Sequence, residues 1–157
     1  MSASATPRVF RVLLAAKDLA QSRKFYETLL GIPGRAVAEG RIYFDCGAVT
    51  LGVLDFSAHG PEGFPAPTEA VYFAVPNLEE VHRRAKALGG VSRELLHDDP
   101  SSPLGEIVVR PWGERSFYVE DPSGNSLCFV DEKTLFTGTP EQIARLRGTS
   151  NPSRRSR

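Results

Sequence analysis

The sequence predicts an α+β fold of two βαβββ modules, and three observations predict it. An apolar strand runs directly into a capped helix in FRVLLAAKDLAQSRKFYETLLG, Phe10 to Gly31. The same strand-to-helix pattern returns in EAVYFAVPNLEEVHRRAKALGG, from Glu69 to Gly90. Short alternating segments separated by glycine turns follow each helix. The two N-cap residues, Asp18 and Asn77, stand 59 positions apart (77 − 18), too few for two large domains and enough for two small modules.

Met1 to Pro7 is small and polar and reads as a loose tail. The first module spans residues 8–56 and opens with a strand over Arg8 to Lys17. Its helix is capped by Asp18, with Gln21 as capping-box partner, and stops at Gly31. Leu19, Ser22, Phe25, Tyr26, Leu29 and Leu30 give that helix one mostly apolar face. Strands are expected around Gly34 to Ala38, Gly40 to Gly47 and Ala48 to Phe56. The linker, residues 57–68, carries three Pro and two Gly.

The second module spans residues 69–132. Asn77 caps its helix with Glu80 as partner, and Leu78, Val81, Ala85 and Leu88 form the buried stripe before Gly89 and Gly90 end it. Strands are expected around Arg93 to Leu96, Ile107 to Pro111, Ser116 to Gly124 and Asn125 to Glu132, the last two joined by a turn at Asp121 to Asn125. A C-terminal helix follows over residues 133–147, with Thr139 as N-cap and Pro140 at its first position. Residues 148–157 read as a disordered basic tail, a solvated terminus rather than a binding arm.

Composition narrows the function. The 157 residues carry 19 basic and 19 acidic side chains, a balance that argues against nucleic acid or an anionic membrane as partner. No run approaches the roughly 20 apolar residues of a membrane span, and the N-terminus has no signal-peptide core, so a cytoplasmic location is expected. Cys46 and Cys128 form no CxxC pair and read as reduced thiols. The histidines are scattered: His59 in the linker, His82 on an exposed helix face, and His97 in an HDDP turn beside Asp98 and Asp99, with DDPSSP reading as a plain loop or turn. No phosphate loop or serine nucleophile elbow is present.

Paired βαβββ modules, with KDL…FYETLLG in the first and PWGERSFYVEDPSGNSLCFVDE closing the second, resemble the vicinal oxygen chelate superfamily. That superfamily includes glyoxalase I, ring-cleaving dioxygenases, fosfomycin-resistance transferases and bleomycin-resistance proteins. The resemblance covers roughly residues 8 to 132 and implies two mixed sheets curled into a cup, with the helices outside. Alternation then points Arg11, Leu13 and Ala15, Ala70, Tyr72 and Ala74, and Ser126, Cys128 and Val130 inward.

Metal-using relatives hold a divalent ion in the cup with His, Gln or Glu. Counted from the helix caps and along the closing strands, those positions hold Arg11, Gly52, Ala70 and Cys128 in this chain. Two have no donor atom and one is a permanent cation, so no metal and no other cofactor is expected. A register shift of one residue offers Glu69, and Asp55 lies three residues beyond Gly52, but no quartet assembles.

The resemblance therefore implies a metal-free cup that binds or sequesters a small molecule. Tyr43, Phe56, Tyr72, Trp112 and Tyr118 are candidate walls, and Arg11, Ser116, Glu120 and Cys128 candidate polar contacts. Trp112 reads equally as a wall or as a plug. Arg11 reads either as the partner of Glu120 or another carboxylate, or as a fixed cation for an anionic ligand. A lyase, dioxygenase or isomerase and a non-catalytic interaction module remain as alternatives. A symmetric homodimer is the expected assembly.

Overall fold

The computed structural model describes residues 8–65 and 70–150. The expected N-terminal tail, the last part of the linker with Glu69, and the end of the basic tail lie outside the described residues. The chain divides into two compact units, Met1–Thr68 with Asp121–Asn125, and Glu69–Glu120 with Ser126–Arg157.

In the first unit, β1 (Arg11–Ala16) leads into α1 (Leu19–Leu30), and β2 (Arg35–Ala38), β3 (Arg41–Cys46) and β4 (Val49–Asp55) follow. The sheet order is β1-β4-β3-β2, with β1 parallel to β4 and the other pairs antiparallel. A parallel pair needs a long crossover, and α1 with the β2–β3 hairpin supplies it. Asp18 caps α1 by accepting the Gln21 N–H at 3.0 Å, and Gly31 ends it with φ 70°, a value that costs glycine no Cβ clash. The apolar face of α1 buries Phe25, Tyr26 and Leu29 beside Leu14, Ile42, Phe44, Leu51 and Val53. After β4 come a 3₁₀ turn, Ser57–His59, and a single helical turn, α2 (Gly60–Gly63).

The DPSGN turn belongs to this first unit, and its aspartate is fully engaged. Asp121 Oδ1 accepts the Ser123 and Asn125 backbone N–H groups, both at 2.8 Å, while Oδ2 accepts Tyr26 Oη at 2.7 Å and Asn125 Nδ2 at 2.9 Å. Asn125 Nδ2 also donates to the Ala15 carbonyl, and the Lys17 N–H donates to Ser123 Oγ. Burial, then the Asp121 charge, holds the Tyr26 phenol well above the usual tyrosine range.

In the second unit, β5 (Val71–Val75) leads into α3 (Leu78–Ala87), which Asn77 caps through the Glu80 N–H at 3.2 Å. The main sheet is completed by β8 (Val108–Val109), β9 (Arg115–Glu120) and β10 (Ser126–Asp131), in the order β5-β10-β9-β8, with β5 parallel to β10. This repeats the topology of the first unit. Both faces of the closing strand are buried, Leu127 and Phe129 on one and Cys128 and Val130 on the other.

Two local readings are corrected. The Arg93 to Leu96 strand does not join the main sheet: β6 (Leu95–Leu96) pairs with β7 (Asp99–Pro103) in a separate hairpin through the segment expected to be a loop. His97 and Asp98 have φ of 50° and 59°, the paired positive values that a tight two-residue hairpin turn demands. The prolines and serines of β7 carry no strand propensity, so pattern reading passes over it. His82 is not on an exposed face: its side chain is 13% accessible, packs edge-on against Phe117 at 4.7 Å, and bonds the Gly105 carbonyl at 2.9 Å.

Beyond β10, a 3₁₀ turn (Glu132–Thr134) and an extended segment lead to α4 (Pro140–Ser150). Gln142 organises that entry. Its Oε1 accepts the N–H groups of Thr137, Gly138 and Thr139, its N–H donates to Thr139 Oγ1, and its Nε2 donates to the Leu135 carbonyl.

Candidate ligand cavity in the second unit

The inner face of the second sheet is organised around a buried cation absent from the sequence-derived candidates. Arg110 is 1% exposed, and neutral acceptors take all its donors. Nε donates to Ser116 Oγ at 3.0 Å, and Nη1 to Ser102 Oγ at 2.9 Å and the Pro103 carbonyl at 3.2 Å. Nη2 is shared among the carbonyls of Leu104, Glu106 and Ser116 at 3.3, 3.2 and 2.9 Å. The guanidinium thus ties the segment before β8 to β9, and it lies 5.5 Å from the centre of the Tyr118 ring. Burial without a counter-ion pulls its pKa down.

From Arg110 a chain of polar contacts runs outward through Ser116, Cys128, Tyr118 and Tyr72. The Ser116 and Tyr118 hydroxyls act on the Cys128 thiol to lower its pKa against the larger effect of burial, and Tyr118 Oη lies 3.2 Å from Tyr72 Oη. Ala70 and Leu104 pack against Tyr118, Cys128 and Val130, which closes the sheet over the thiol. Burial pushes the Cys128 thiol up to about 12, and the Glu114 charge pushes in the same direction. The Tyr118 phenol is likewise raised, by burial first and then by its bond with Tyr72.

Next to this sealed cluster the same sheet opens into a cavity of about 590 Å³. Tyr72, Phe73 and Ala74 from β5, Val130 from β10, Trp112 and Glu114 from the turn before β9, and Leu135, Phe136 and Thr137 from the segment before α4 line it. Glu114 is 7% exposed; Oε1 accepts Trp112 Nε1 at 2.7 Å and Oε2 accepts the Phe136 N–H at 2.9 Å. One buried carboxylate therefore positions two of the cavity's aromatic walls.

The sequence-predicted candidates separate into groups. Tyr72 and Trp112 line the cavity, while Ser116, Tyr118 and Cys128 form the buried chain beside it. Glu120 is exposed at the end of β9, opposite Ser126. In the first unit, the Arg11 guanidinium lies 4.9 Å from the Phe10 ring centre and 5.4 Å from that of Tyr43, and among the described residues of that unit it forms no ion pair. Phe56 packs edge-on against Phe64. Arg110 and Glu114 went unnoticed because charged residues in a turn-rich segment, RPWGERS, read as solvated. The available signal was alternation: stepping back by two from Tyr118 and Ser116 reaches Glu114.

The four residues that the resemblance counts as ligand positions do not fit a divalent ion. Gly52 has no donor, and a Cβ there would lie 2.6 Å from Leu13 Cδ2 and 3.0 Å from Tyr43 Cε1, so those side chains already fill its place. Ala70 has no donor either, Arg11 is a cation, and Cys128 is a sealed thiol held protonated by burial. Glu69 lies outside the described residues, and Asp55 caps the turn after β4 through the Ser57 N–H. Among the described residues, no three His, Cys, Asp or Glu side chains gather as a ligand set. His97 and Asp98 are exposed in their hairpin turn, and Asp99 is engaged by both the N–H and the hydroxyl of Ser101. The side chain of His59 lies outside those described.

The family model for the Glyoxalase/Bleomycin resistance protein/Dioxygenase superfamily matches residues 8–129. The chain belongs to this superfamily. Solved structures of the same fold include Oxidase ChaP-H2, 25% identical over 80% of this chain and 94% of its own, with a TM-score of 0.62. A lactoylglutathione lyase from Agrobacterium tumefaciens is 22% identical over 83% of this chain and 97% of its own, at TM-score 0.59. A bleomycin-binding protein complexed with bleomycin is 19% identical over 80% and 98%, at TM-score 0.57. These structures of the same fold carry the names of an oxidase, a lyase and a binder, so the shared fold does not select a chemistry. Comparison with curated proteins gave no match. No helix among the described residues is long and apolar enough to cross a membrane.

Proposed function

We propose that this protein binds a small organic molecule in the cavity of its second unit and sequesters it without the help of a metal ion. The observation that carries this reading is the pairing of an open aromatic cavity with a sealed neighbouring site. The thiol at the superfamily's ligand position is closed off under Leu104 and Ala70, while the adjoining sheet surface opens at Tyr72 and Val130. A volume of about 590 Å³ falls within the roughly 300–1,000 Å³ typical of small-molecule sites. The lining supplies mostly apolar and aromatic wall with one buried charged group, the composition such sites use. The nearest thiol is no nucleophile, since burial keeps it protonated and covers it.

The test is a thermal-shift screen of the intact protein against a small-molecule library, with elemental analysis of the purified protein and mass spectrometry of each hit after incubation. Binding of an unchanged compound, with no stoichiometric metal, is the expected result. Turnover of the hit, or a divalent metal on which binding depends, refutes the reading. The homodimer belongs to the same proposal, and light scattering of the eluting protein checks it.

A further inference from the structure

The charge that lines the cavity is negative. Glu114 is 7% exposed and each of its carboxylate oxygens accepts one hydrogen bond, from Trp112 on one and the Phe136 backbone on the other. A carboxylate offers about four lone-pair sites, so acceptor capacity remains on both oxygens. Among the described residues no basic side chain forms an ion pair with it. The buried cation of this unit, Arg110, has committed its donors to serine hydroxyls and main-chain carbonyls. A buried charge without a counter-ion is costly, and a ligand can supply the missing partner. The surrounding wall favours the same sign, since Tyr72, Trp112 and Phe136 present aromatic rings, whose faces attract cations. An anionic ligand would instead meet an uncompensated carboxylate.

We propose that the cavity selects organic cations, an ammonium group carried on a compact apolar body, with Glu114 as the residue that determines this specificity. The inference rests on the binding reading above and names the ligand class for the same site. It departs from the anionic ligand that an arginine in the cup first implied, because Arg11 belongs to the first unit and stacks on Phe10 and Tyr43.

Trp112 is the sole tryptophan of the sequence, so intrinsic fluorescence reports directly from the cavity wall. Three probes share one transparent apolar cage: adamantan-1-amine, adamantan-1-ol and adamantane-1-carboxylate, each titrated into the full-length protein at neutral pH. The ammonium is expected to bind at least about tenfold more tightly than the alcohol, a difference of about 1.4 kcal/mol, with the carboxylate weakest. In Glu114→Gln the ratio of ammonium to alcohol affinity falls to within about threefold, whatever the absolute affinity of either. Gln presents one acceptor where Glu presents two, so one of the two donors loses its partner. Should that variant not fold, the wild-type ranking decides alone. Equal or tighter binding of the alcohol or carboxylate to wild type overturns the cation preference and leaves the binding reading intact. Silence of all three probes overturns the cation inference, while the library screen judges binding separately.

Discussion

Replacing Arg110 with methionine removes a cation that six acceptors surround. Two are the hydroxyls of Ser102 and Ser116, which can rotate toward other partners. Leu104 O keeps the Tyr118 N–H at 2.7 Å, and Glu106 is an exposed residue whose carbonyl water can reach. Ser116 O keeps its ladder bond in the β8–β9 pair, so Pro103 O is the acceptor most affected. One buried acceptor left without a donor costs about 1–3 kcal/mol, and the two serine hydroxyls must find new partners. Part of that is offset because no guanidinium is held out of water any longer. The expected net loss is about 2 kcal/mol, or about 6 °C in Tm at the roughly 2–4 °C per kcal/mol usual for this chain length. Urea unfolding followed by far-UV circular dichroism measures it, with an unchanged slope showing that the unfolded state is not the cause. Arg110→Lys supplies up to three donors and should recover part of the loss. An Arg110→Met protein within about 0.5 kcal/mol of wild type, or a lysine variant no better than the methionine one, refutes the view that these hydrogen bonds hold the segment before β8.

Other outcomes follow from the same structure. Tyr26→Phe removes a buried hydrogen bond to a carboxylate and should cost about 1.5–3 kcal/mol in urea unfolding; a neutral result would mean that Asp121 is satisfied by the turn alone. Tyr26 and Tyr118 both have folded pKa values above the ordinary ~10, so the folded state holds protons that the unfolded chain releases. Their contribution to stability is complete below that pH and is lost as pH rises through the folded values. Tyrosinate absorbance should therefore show these two of the four tyrosines ionising late, whereas four titrating together in a folded protein would contradict it. Cys128 should resist thiol-specific reagents at pH 8 until denaturant is added, and modification in native buffer at the rate of a small thiol would show that the cluster is open. Gly105→Ala brings a Cβ to 2.0 Å from the Ser92 carbonyl oxygen and should cost about 3 kcal/mol or more, while Gly52→Ala, which meets the half-exposed Leu13 side chain, should cost about 1 kcal/mol. Similar losses from both would mean that the backbone at Gly105 yields.

The two module helices and their N-caps were legible in the sequence because their signals are local, whereas the C-terminal helix, expected over residues 133–147, is Pro140–Ser150. Asp18 and Asn77 accept the N–H groups expected of N-caps, and Gly31 stops α1 in the left-handed conformation. The βαβ crossovers follow from strand, helix and strand in order. The HDDPSSP hairpin was not legible, because its strand residues have poor intrinsic propensity and the pairing, not the composition, makes β7 a strand. Nor was the burial of His82, which depends on Phe117 and the Gly105 carbonyl, distant in sequence.

For the site the division is clearer. The sequence by itself determined the donor chemistry of Arg11, Gly52, Ala70 and Cys128, the residues that the resemblance counts as ligand positions: a glycine and an alanine have no donor and an arginine is a cation in any surroundings. It also placed Tyr72 and Trp112 among the candidate walls, since aromatic side chains supply most of the area of such sites. Only the tertiary structure decided which polar groups stand in the cavity. Charge is cheap in water and costly when buried, and burial is a property of packing: it takes Arg110 and Glu114, unremarkable in a turn-rich segment, and makes them the buried cation and the buried carboxylate around which this sheet is arranged.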